Sequence, residues 1–211
     1  MKNETIVDLF SRDGQYHFAR WSKQVSPVIF GVDDDTLLAI KVAFSDVLSL
    51  ASLKLVEFDQ ELGANFLMFF CTEWSELLDV PNLGKLVPDL QSLLETLCEN
   101  GSNQYRTFSF TPDKAINLVI ILLKYDAELA SVSVQTLAVS QALQSVLLWS
   151  PTAFLQDSPI AILQKSNRCI VKPFYAALIK AAYDPVLPNH SLDKSHALRL
   201  KARVDLFLEP K

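Results

Sequence analysis

Few residues in this chain have side chains suited to catalysis or metal binding. The first candidates are two histidines and an aspartate near the C-terminus. His190, Asp193 and His196 are three residues apart, so on a helix they would lie within reach of one another and could hold a metal ion or exchange protons. The alternative is that His190 precedes the helix, since Pro188 and Asn189 stand before it. Asp193 would then be an acid at the start of that helix.

A run of three carboxylates, Asp33 to Asp35, is the second candidate. Asp33 and Asp35 could hold a hard cation, which prefers oxygen ligands. The same acids precede an apolar pattern of helical period, and helix N-termini favour acids through capping and the helix dipole. No partner ligand stands nearby in the sequence, which favours the structural interpretation.

A long segment without charge is the most distinctive feature of the chain. No ionisable residue occurs between Glu128 and Asp157. The apolar residues in this window predict one long helix over 132–149, with Ser133 as its cap. A helix without charge is expected in the interior, and it carries none of the side chains that transfer protons or bind metals.

Polar side chains within this helix, and a pair near the N-terminus, are candidate ligand contacts. Gln141, Gln144 and Ser145 either form a small polar pocket or satisfy backbone groups inside the fold. Arg20 and Trp21 either stack on a ligand or anchor the N-terminal segment on the sheet.

The order of the apolar patterns predicts an α+β fold with a mixed sheet of about five strands covered by helices. We expect one domain over 1–211, with an N-terminal arm at 1–24, a sheet and helix core at 25–164 and a basic helical segment at 165–211. The predicted strands are 27–32, 53–59, 66–71, 105–110 and 115–125. Helices are predicted after the run of aspartates and at 73–79, 88–99, 132–149, 173–183 and 193–208, and 159–165 is predicted to be irregular or a short helical turn.

Composition restricts the function classes. Half of the residues are apolar, which fits either a large core or a surface that forms a homodimer. From residue 165 onwards there are nine basic and four acidic residues, but they are too dispersed to indicate nucleic-acid binding. The glutamines in the uncharged window argue against a membrane span. The five glycines are too far apart for a phosphate-binding loop.

The cysteines and the N-terminus predict a cytoplasmic protein. Cys71, Cys98 and Cys169 form no C-x-x-C pair and are odd in number, as expected for reduced thiols. The first residues mix acids and bases around a short apolar run, unlike a secretory signal.

Several stretches of the chain resemble secreted bacterial zincin-like proteins of unknown function. The first is Phe18–Trp21 followed by Pro27–Phe30. The second is Asn65–Phe70, which is similar to the central strand of these proteins. The third is Gln141–Leu143 with Ala153–Phe154 and Asp157–Pro159, which are similar to their central helix and the segment that follows it. The resemblance implies a sheet followed by a central helix that would present metal ligands.

The chain departs from zincins at the metal site. Zincins place His-Glu-x-x-His on that helix, because histidines four residues apart share one face and bind one ion. The corresponding stretch here, Leu137–Gln141, contains no His, Asp or Glu. The resemblance therefore implies a scaffold without the metal site and without a cofactor.

These observations favour a non-enzymatic interaction or scaffold protein that forms a homodimer, and the resemblance implies a catalytically degenerate zincin-like domain. The first alternative is a small-molecule binding module with an amide-lined pocket at Gln141 and Gln144. The further alternative is an enzyme, either a metal-dependent hydrolase or one that uses the carboxylates at Asp33 to Asp35. We expect neither nucleic acid nor membrane as a partner.

Overall fold

The computed structural model describes residues 5–56, 63–164 and 168–209. It is an α+β fold, as predicted. The helices are α1 (Ile6–Leu9), α2 (Asp34–Leu50), α3 (Leu83–Leu86), α4 (Leu90–Glu99), α5 (Ala127–Ala130), α6 (Val134–Val146), α7 (Pro173–Ala182) and α8 (Ser195–Leu208), with a 3-10 helix at Trp74–Asp79. The strands are β1 (Ser11–Arg12), β2 (Gln15–Tyr16), β3 (Phe18–Ala19), β4 (Pro27–Phe30), β5 (Phe66–Cys71), β6 (Gln104–Phe110), β7 (Ile116–Lys124), β8 (Ile160–Leu163), β9 (Arg168–Val171) and β10 (His190–Ser191).

The main sheet has the strand order β4–β5–β7–β6. Strands β4, β5 and β7 are parallel, and β6 runs antiparallel to β7 as the first strand of a hairpin. Three two-stranded ribbons, β1–β2, β3–β10 and β8–β9, lie outside this sheet. The strands at 27–32, 66–71, 105–110 and 115–125 were therefore predicted to within about two residues, as were helices α2, α4, α7 and α8.

Helices cover both faces of the main sheet. Side chains alternate between the faces of a strand, so Phe66 and Met68 on β5 pack with α2 in the larger apolar core. Phe69 and Cys71 on the same strand pack in a smaller core with the 3-10 helix, α3 and α4. This two-sided burial explains why β5 is apolar throughout.

Two short predictions about strands differ from the structure. The stretch predicted as a strand over 53–59 makes a single bridge between Leu55 and Val25, and residues 57–59 lie outside the described residues. The main sheet accordingly has four described strands rather than about five. Residues 159–165 were predicted to be irregular or a short helical turn, but Ile160–Leu163 forms β8, because its backbone pairs with β9.

The N-terminal segment is part of the core and not a polar arm. Leu9, Phe10, Tyr16, Phe18 and Trp21 are all at most 2% exposed. Polar residues separate these side chains in the sequence, which gave the segment its polar character. In the fold these side chains lie in the larger core, where Phe10 stacks on Trp149 just after α6 and Phe18 packs against His196 on α8.

The uncharged helix is shorter than predicted. Ser133 caps α6 as expected, but the helix ends at Val146 and Leu147 is extended. The backbone of Leu147 forms a bridge with Arg20, and the Leu148 N–H donates to the Ala19 carbonyl at 2.9 Å. Hydrogen bonds to the N-terminal segment thus replace helical hydrogen bonds at Leu147 and Leu148. Sequence periodicity alone does not reveal this.

Within the described residues, no helix is long and apolar enough to cross a membrane.

Candidate functional site

A cavity of about 330 Å³ lies between strand β6 and the segment that follows helix α6. We call it the arginine cavity, because two arginines contribute to its wall. Its lining residues are Arg12, Arg106, Phe108, Gln144, Trp149, Ser150, Pro151, Ala153 and Phe154. None of these residues is acidic, so the cavity wall is positively charged at neutral pH.

Strand β6 and helix α6 bring Arg106 and two glutamines together. Gln104, Arg106 and Phe108 alternate along β6 and therefore point to the same side of the strand. Gln141 and Gln144 are three residues apart on α6 and share one face of that helix. The helix crosses this side of the strand, and the polar residues of the two elements meet.

A chain of hydrogen bonds orients the Arg106 guanidinium. Its Nη1 donates to Gln144 Oε1 at 3.0 Å, and its Nη2 donates to Gln141 Oε1. The amide nitrogen of Gln144 donates to Ser140 Oγ at 2.9 Å, and that of Gln141 donates to Gln104 Oε1 at 2.7 Å. These second partners turn both amide oxygens towards Arg106, so the guanidinium is fixed in one orientation.

The charge of Arg106 is not balanced by an acid. No ion pair to Arg106 occurs within the described parts of the chain, and its buried Nε has no hydrogen-bond acceptor there. Burial lowers the pKa of the Arg106 guanidinium to about 10, which leaves it protonated at neutral pH. The glutamine amides stabilise this cation through their dipoles but do not neutralise it. A partly buried charge without a counter-ion lowers the free energy of unfolding, so its presence requires an explanation.

Arg12 is positioned by a tight hairpin. Asp13 and Gly14 connect β1 to β2 and both have positive φ, 51° and 76°, as the two central residues of a type I′ turn require. Arg12 Nη2 lies 3.5 Å from the Trp149 carbonyl oxygen. Arg12 also borders a neighbouring depression that contains Asp8 and Asp13, so Arg106 is the stronger anion ligand of the two.

The apolar walls of the cavity are rigid and aromatic. The Trp149 ring stacks on Phe10 with centroids 5.2 Å apart and meets Phe154 edge-on at 5.0 Å. Its Nε1 donates to the Leu143 carbonyl at 2.8 Å, which fixes the indole relative to α6. These contacts provide a preformed surface for a flat apolar group.

Of the five residues suggested as ligand contacts, Gln141 and Gln144 lie at this site. Gln144 lines the cavity, and Gln141 does not line it but accepts a hydrogen bond from Arg106 Nη2. Ser145 is fully buried and does not line the cavity. Its carbonyl accepts a hydrogen bond from Trp21 Nε1 at 2.8 Å, and its hydroxyl has no partner among the described residues.

Arg20 and Trp21 make contacts within the fold. Arg20 donates to the carbonyls of Ala182 and Leu187 at 3.0 and 2.8 Å and to Asn189 Oδ1 at 2.9 Å. It thereby satisfies backbone groups at and beyond the C-terminus of α7. Trp21 is 2% exposed and packs in the core, so neither side chain faces the arginine cavity.

The carboxylates and histidines do not come together as a metal site. Within the described ranges, no group of three or more His, Cys, Asp or Glu is placed to hold a metal ion. Asp33 caps α2 by accepting from the Thr36 N–H at 2.8 Å, and Asp35 lies exposed in the first turn of the same helix.

His190, Asp193 and His196 are in three different environments. His190 is in the short strand β10, paired with Ala19. Asp193 accepts from the Ser195 N–H at 2.8 Å just before α8 begins. His196 is buried in the first turn of α8, where Tyr16 bonds its Nδ1 at 2.8 Å, and burial lowers the pKa of this imidazole to about 4. His190 is held in the ribbon with β3 and lies outside α8, so the three-residue spacing does not place these side chains on one helix face.

Sequence reasoning did not identify the two arginines as a pair. Arg106 alternates with Phe108 and Phe110 on a predicted strand, and a cation on an otherwise apolar strand face was a usable signal. The Asp13-Gly14 turn next to Arg12 was a second signal. Arg12 and Arg106 line the same cavity although more than ninety residues separate them in the sequence. Tertiary packing brings them there, and no local sequence pattern encodes it.

Comparison of the chain with protein-family models, with curated proteins and with solved structures gave no match. The resemblance to zincin-like proteins therefore stays a prediction. The function is inferred from the geometry alone.

Proposed function

We propose that the protein is a small-molecule binding module that takes up an organic anion in the arginine cavity. The observation that carries this proposal is the protonated Arg106, which has two glutamine oxygens as partners, no acid, and an Nε–H without an acceptor among the described residues. A carboxylate or a phosphate group supplies the missing charge and accepts from the Nη N–H groups that the two glutamines leave free.

The shape and chemistry of the cavity favour a small, flat ligand. Its volume of about 330 Å³ is at the lower end of the range for small-molecule sites. Trp149, Phe108 and Phe154 offer aromatic surface, and Ser150 adds a hydroxyl. A carboxylate attached to an aromatic or similar planar group satisfies the cation and the apolar walls at once.

Calorimetric titration of the full chain with benzoate, benzamide and inorganic phosphate tests the proposal. We expect benzoate to bind and benzamide, its uncharged counterpart, to bind at least about tenfold more weakly, because it lacks the charge that Arg106 requires. Inorganic phosphate should also bind less tightly than benzoate, since it cannot use the aromatic walls. Equal affinity for benzoate and benzamide would contradict the proposal.

A designed counter-ion provides a sharper test. Gln144→Glu places a carboxylate on the guanidinium in an almost identical shape, and it should abolish benzoate binding by supplying the anion internally. Gln135→Glu is the matched control: it makes the same charge change on α6, at a residue that does not line the cavity. Benzoate affinity should be unchanged in the control, and retention of binding by Gln144→Glu would argue against the assignment of Arg106 as the anion ligand.

A protein-interaction role is a second candidate, supported by the surface of α8. Leu198, Leu206, Phe207 and Leu208 on this helix are between 45% and 71% exposed. Exposed apolar side chains on one helix are suited to contact with a second copy of the chain. Size-exclusion chromatography with light scattering tests the homodimer, and a monomer at high micromolar concentration would contradict it.

The proposed location is the cytoplasm, without nucleic acid or membrane as a partner. The three cysteines are free thiols, two of them buried, as is common in reducing compartments. Cell fractionation tests this proposal, and recovery of the chain in a secreted or membrane fraction would contradict it.

A further inference from the structure

A second cavity lies where the connections that follow two neighbouring strands of the main sheet leave on opposite faces. Strand β4 leads into α2, which packs in the larger core on one face of the sheet. Strand β5 leads into the 3-10 helix, which packs in the smaller core on the other face. Such a fork between neighbouring parallel strands opens a crevice at their carboxyl ends, the place where open α/β sheets bind ligands.

The cavity at this fork has a volume of about 420 Å³, and we call it the sheet cleft. Its lining includes Gly31 and Asp33 after β4, Phe70 and Thr72 at the end of β5, Glu76 on the 3-10 helix and Tyr125 after β7. It shares no lining residue with the arginine cavity. The two cavities are therefore separate sites that can be tested independently.

Glycine is required at position 31 to form the cleft. Gly31 has φ of +83°, and a Cβ at this position would lie 2.2 Å from the Phe70 carbonyl oxygen. The end of β4 can approach the backbone of β5 this closely only without a side chain. The close approach sets the position of the chain as it turns from β4 towards Asp33 and α2.

The sheet cleft carries charge of the same sign as the phosphates that usually occupy such crevices. Crevices of this kind commonly hold phosphates on the free N–H groups of a helix N-terminus. Here Asp33 already accepts the Thr36 N–H of α2 at 2.8 Å, and Ser133 accepts the Thr136 N–H of α6 at 3.2 Å. The lining contains the carboxylates of Asp33 and Glu76 and no Lys, Arg or His. An anion in the cleft would meet repulsion from both carboxylates.

Both carboxylates are ionised at neutral pH. Hydrogen bonds from the Thr36 N–H and hydroxyl hold the pKa of Asp33 below its usual range. The Thr72 hydroxyl and the Glu73 N–H do the same for the pKa of Glu76. The negative charge at the cleft is thus a fixed property of the fold under ordinary conditions.

We propose that the sheet cleft binds a small organic cation, an amine attached to an apolar group. The carboxylates of Asp33 and Glu76 attract the ammonium, and the rings of Phe70 and Tyr125 offer π faces to it. The apolar part of the ligand fills the remainder of the cleft, whose surface is mostly apolar.

The binding is non-covalent, because the one nucleophile at the cleft is inactive. Cys71 contributes to the lining, but burial raises the pKa of its thiol to about 11, so it stays protonated at neutral pH. Its S–H also donates to the Leu123 carbonyl at 3.6 Å.

Amide NMR of the full chain with three matched probes tests the inference. Phenethylammonium carries the charge, phenethyl alcohol is its neutral counterpart and phenylacetate reverses the sign. We expect saturable shifts at the amides of Gly31 and Thr72 with phenethylammonium and weaker or no shifts with the other two. The inference is overturned if phenethylammonium gives no saturable shift up to its solubility limit, or if either other probe binds as tightly.

Charge-only variants give an independent arm. Asp33→Asn and Glu76→Gln together keep the capping hydrogen bonds, because Asn and Gln are suitable residues at these helix positions, but remove both charges. This pair should weaken phenethylammonium binding about fivefold, the scale expected for exposed ion pairs. The control pair Asp35→Asn and Glu99→Gln makes the same change in net charge away from the cleft and should leave binding unchanged. Equal affinity in the two pairs would refute a role for these carboxylates.

Discussion

Replacement of Arg106 by methionine should cost the protein its anion affinity but little of its stability. Methionine retains the length of the apolar stem and removes the charge. In the folded protein, the lowered pKa of Arg106, about 10, means that the native state holds this proton less tightly than the unfolded chain. At neutral pH, below both pKa values, the charge therefore destabilises the fold, and this cost is relieved only as the pH rises above about 10.

The magnitude follows from two opposing terms. The shift in the pKa of Arg106 corresponds to about 3 kcal/mol of destabilisation, at about 1.4 kcal/mol per pKa unit. The two hydrogen bonds to Gln141 and Gln144, made by a charged donor, are worth about 1.5 kcal/mol each. The terms nearly cancel, so the free energy of unfolding of Arg106→Met should lie within about 1 kcal/mol of the wild-type value.

The assay is urea unfolding followed by fluorescence, paired with benzoate titration of the same preparations. Loss of one partner of a buried charge pair costs about 2 kcal/mol or more of binding free energy, so benzoate affinity should fall at least about 30-fold. A loss of 3 kcal/mol or more in stability with unchanged benzoate affinity would show that Arg106 serves the fold and refute this reasoning.

Three further predictions concern residues outside the arginine cavity. Arg20→Met should lower the free energy of unfolding by about 3 kcal/mol, because three acceptors, two of them buried, lose their donor. Benzoate affinity should be unchanged in the same titration, and a mutant as stable as wild type would contradict a structural role for Arg20. Gly31→Ala should destabilise by at least about 2 kcal/mol in thermal unfolding through its clash with the Phe70 carbonyl, and a neutral result would mean that the turn shifts freely. His196 is neutral in the fold and has its pKa lowered to about 4, so stability should decline as the pH falls from about 6.5 towards 4. His196→Gln, which can still accept from Tyr16, should show a smaller decline in unfolding free energy over that range, and an identical decline would place the titration elsewhere.

Local sequence patterns predicted those elements that local forces determine. Helix α2 begins with acids and continues with apolar residues at helical spacing, and the hairpin of β6 and β7 surrounds Thr111-Pro112-Asp113-Lys114. The extended backbone of 147–149 was missed because its hydrogen-bond partners, residues 19 and 20, are more than a hundred positions away. The core position of the N-terminal segment was missed for the same reason.

Sequence analysis identified the glutamines of the candidate site but not its arginines. Gln141 and Gln144 stood out because amides are unusual in a segment without charge. Arg106 did not stand out on its predicted strand, because the role of a cation depends on which groups face it. A cation beside a carboxylate is an ordinary ion pair, whereas a cation beside two amides is a binding group without its anion, and only the packing of α6 on β6 distinguishes the two cases.

The buried Nε–H of Arg106 offers the most direct test of anion binding, because it belongs to the guanidinium that the anion contacts and has no acceptor of its own among the described residues. In ¹H–¹⁵N spectra of the full chain titrated with benzoate, its resonance should move and saturate as a carboxylate binds the Nη N–H groups of the same guanidinium. Benzamide should leave the resonance almost unmoved. An Nε–H resonance that stays in place while benzoate binds elsewhere, or when it does not bind at all, would contradict the account.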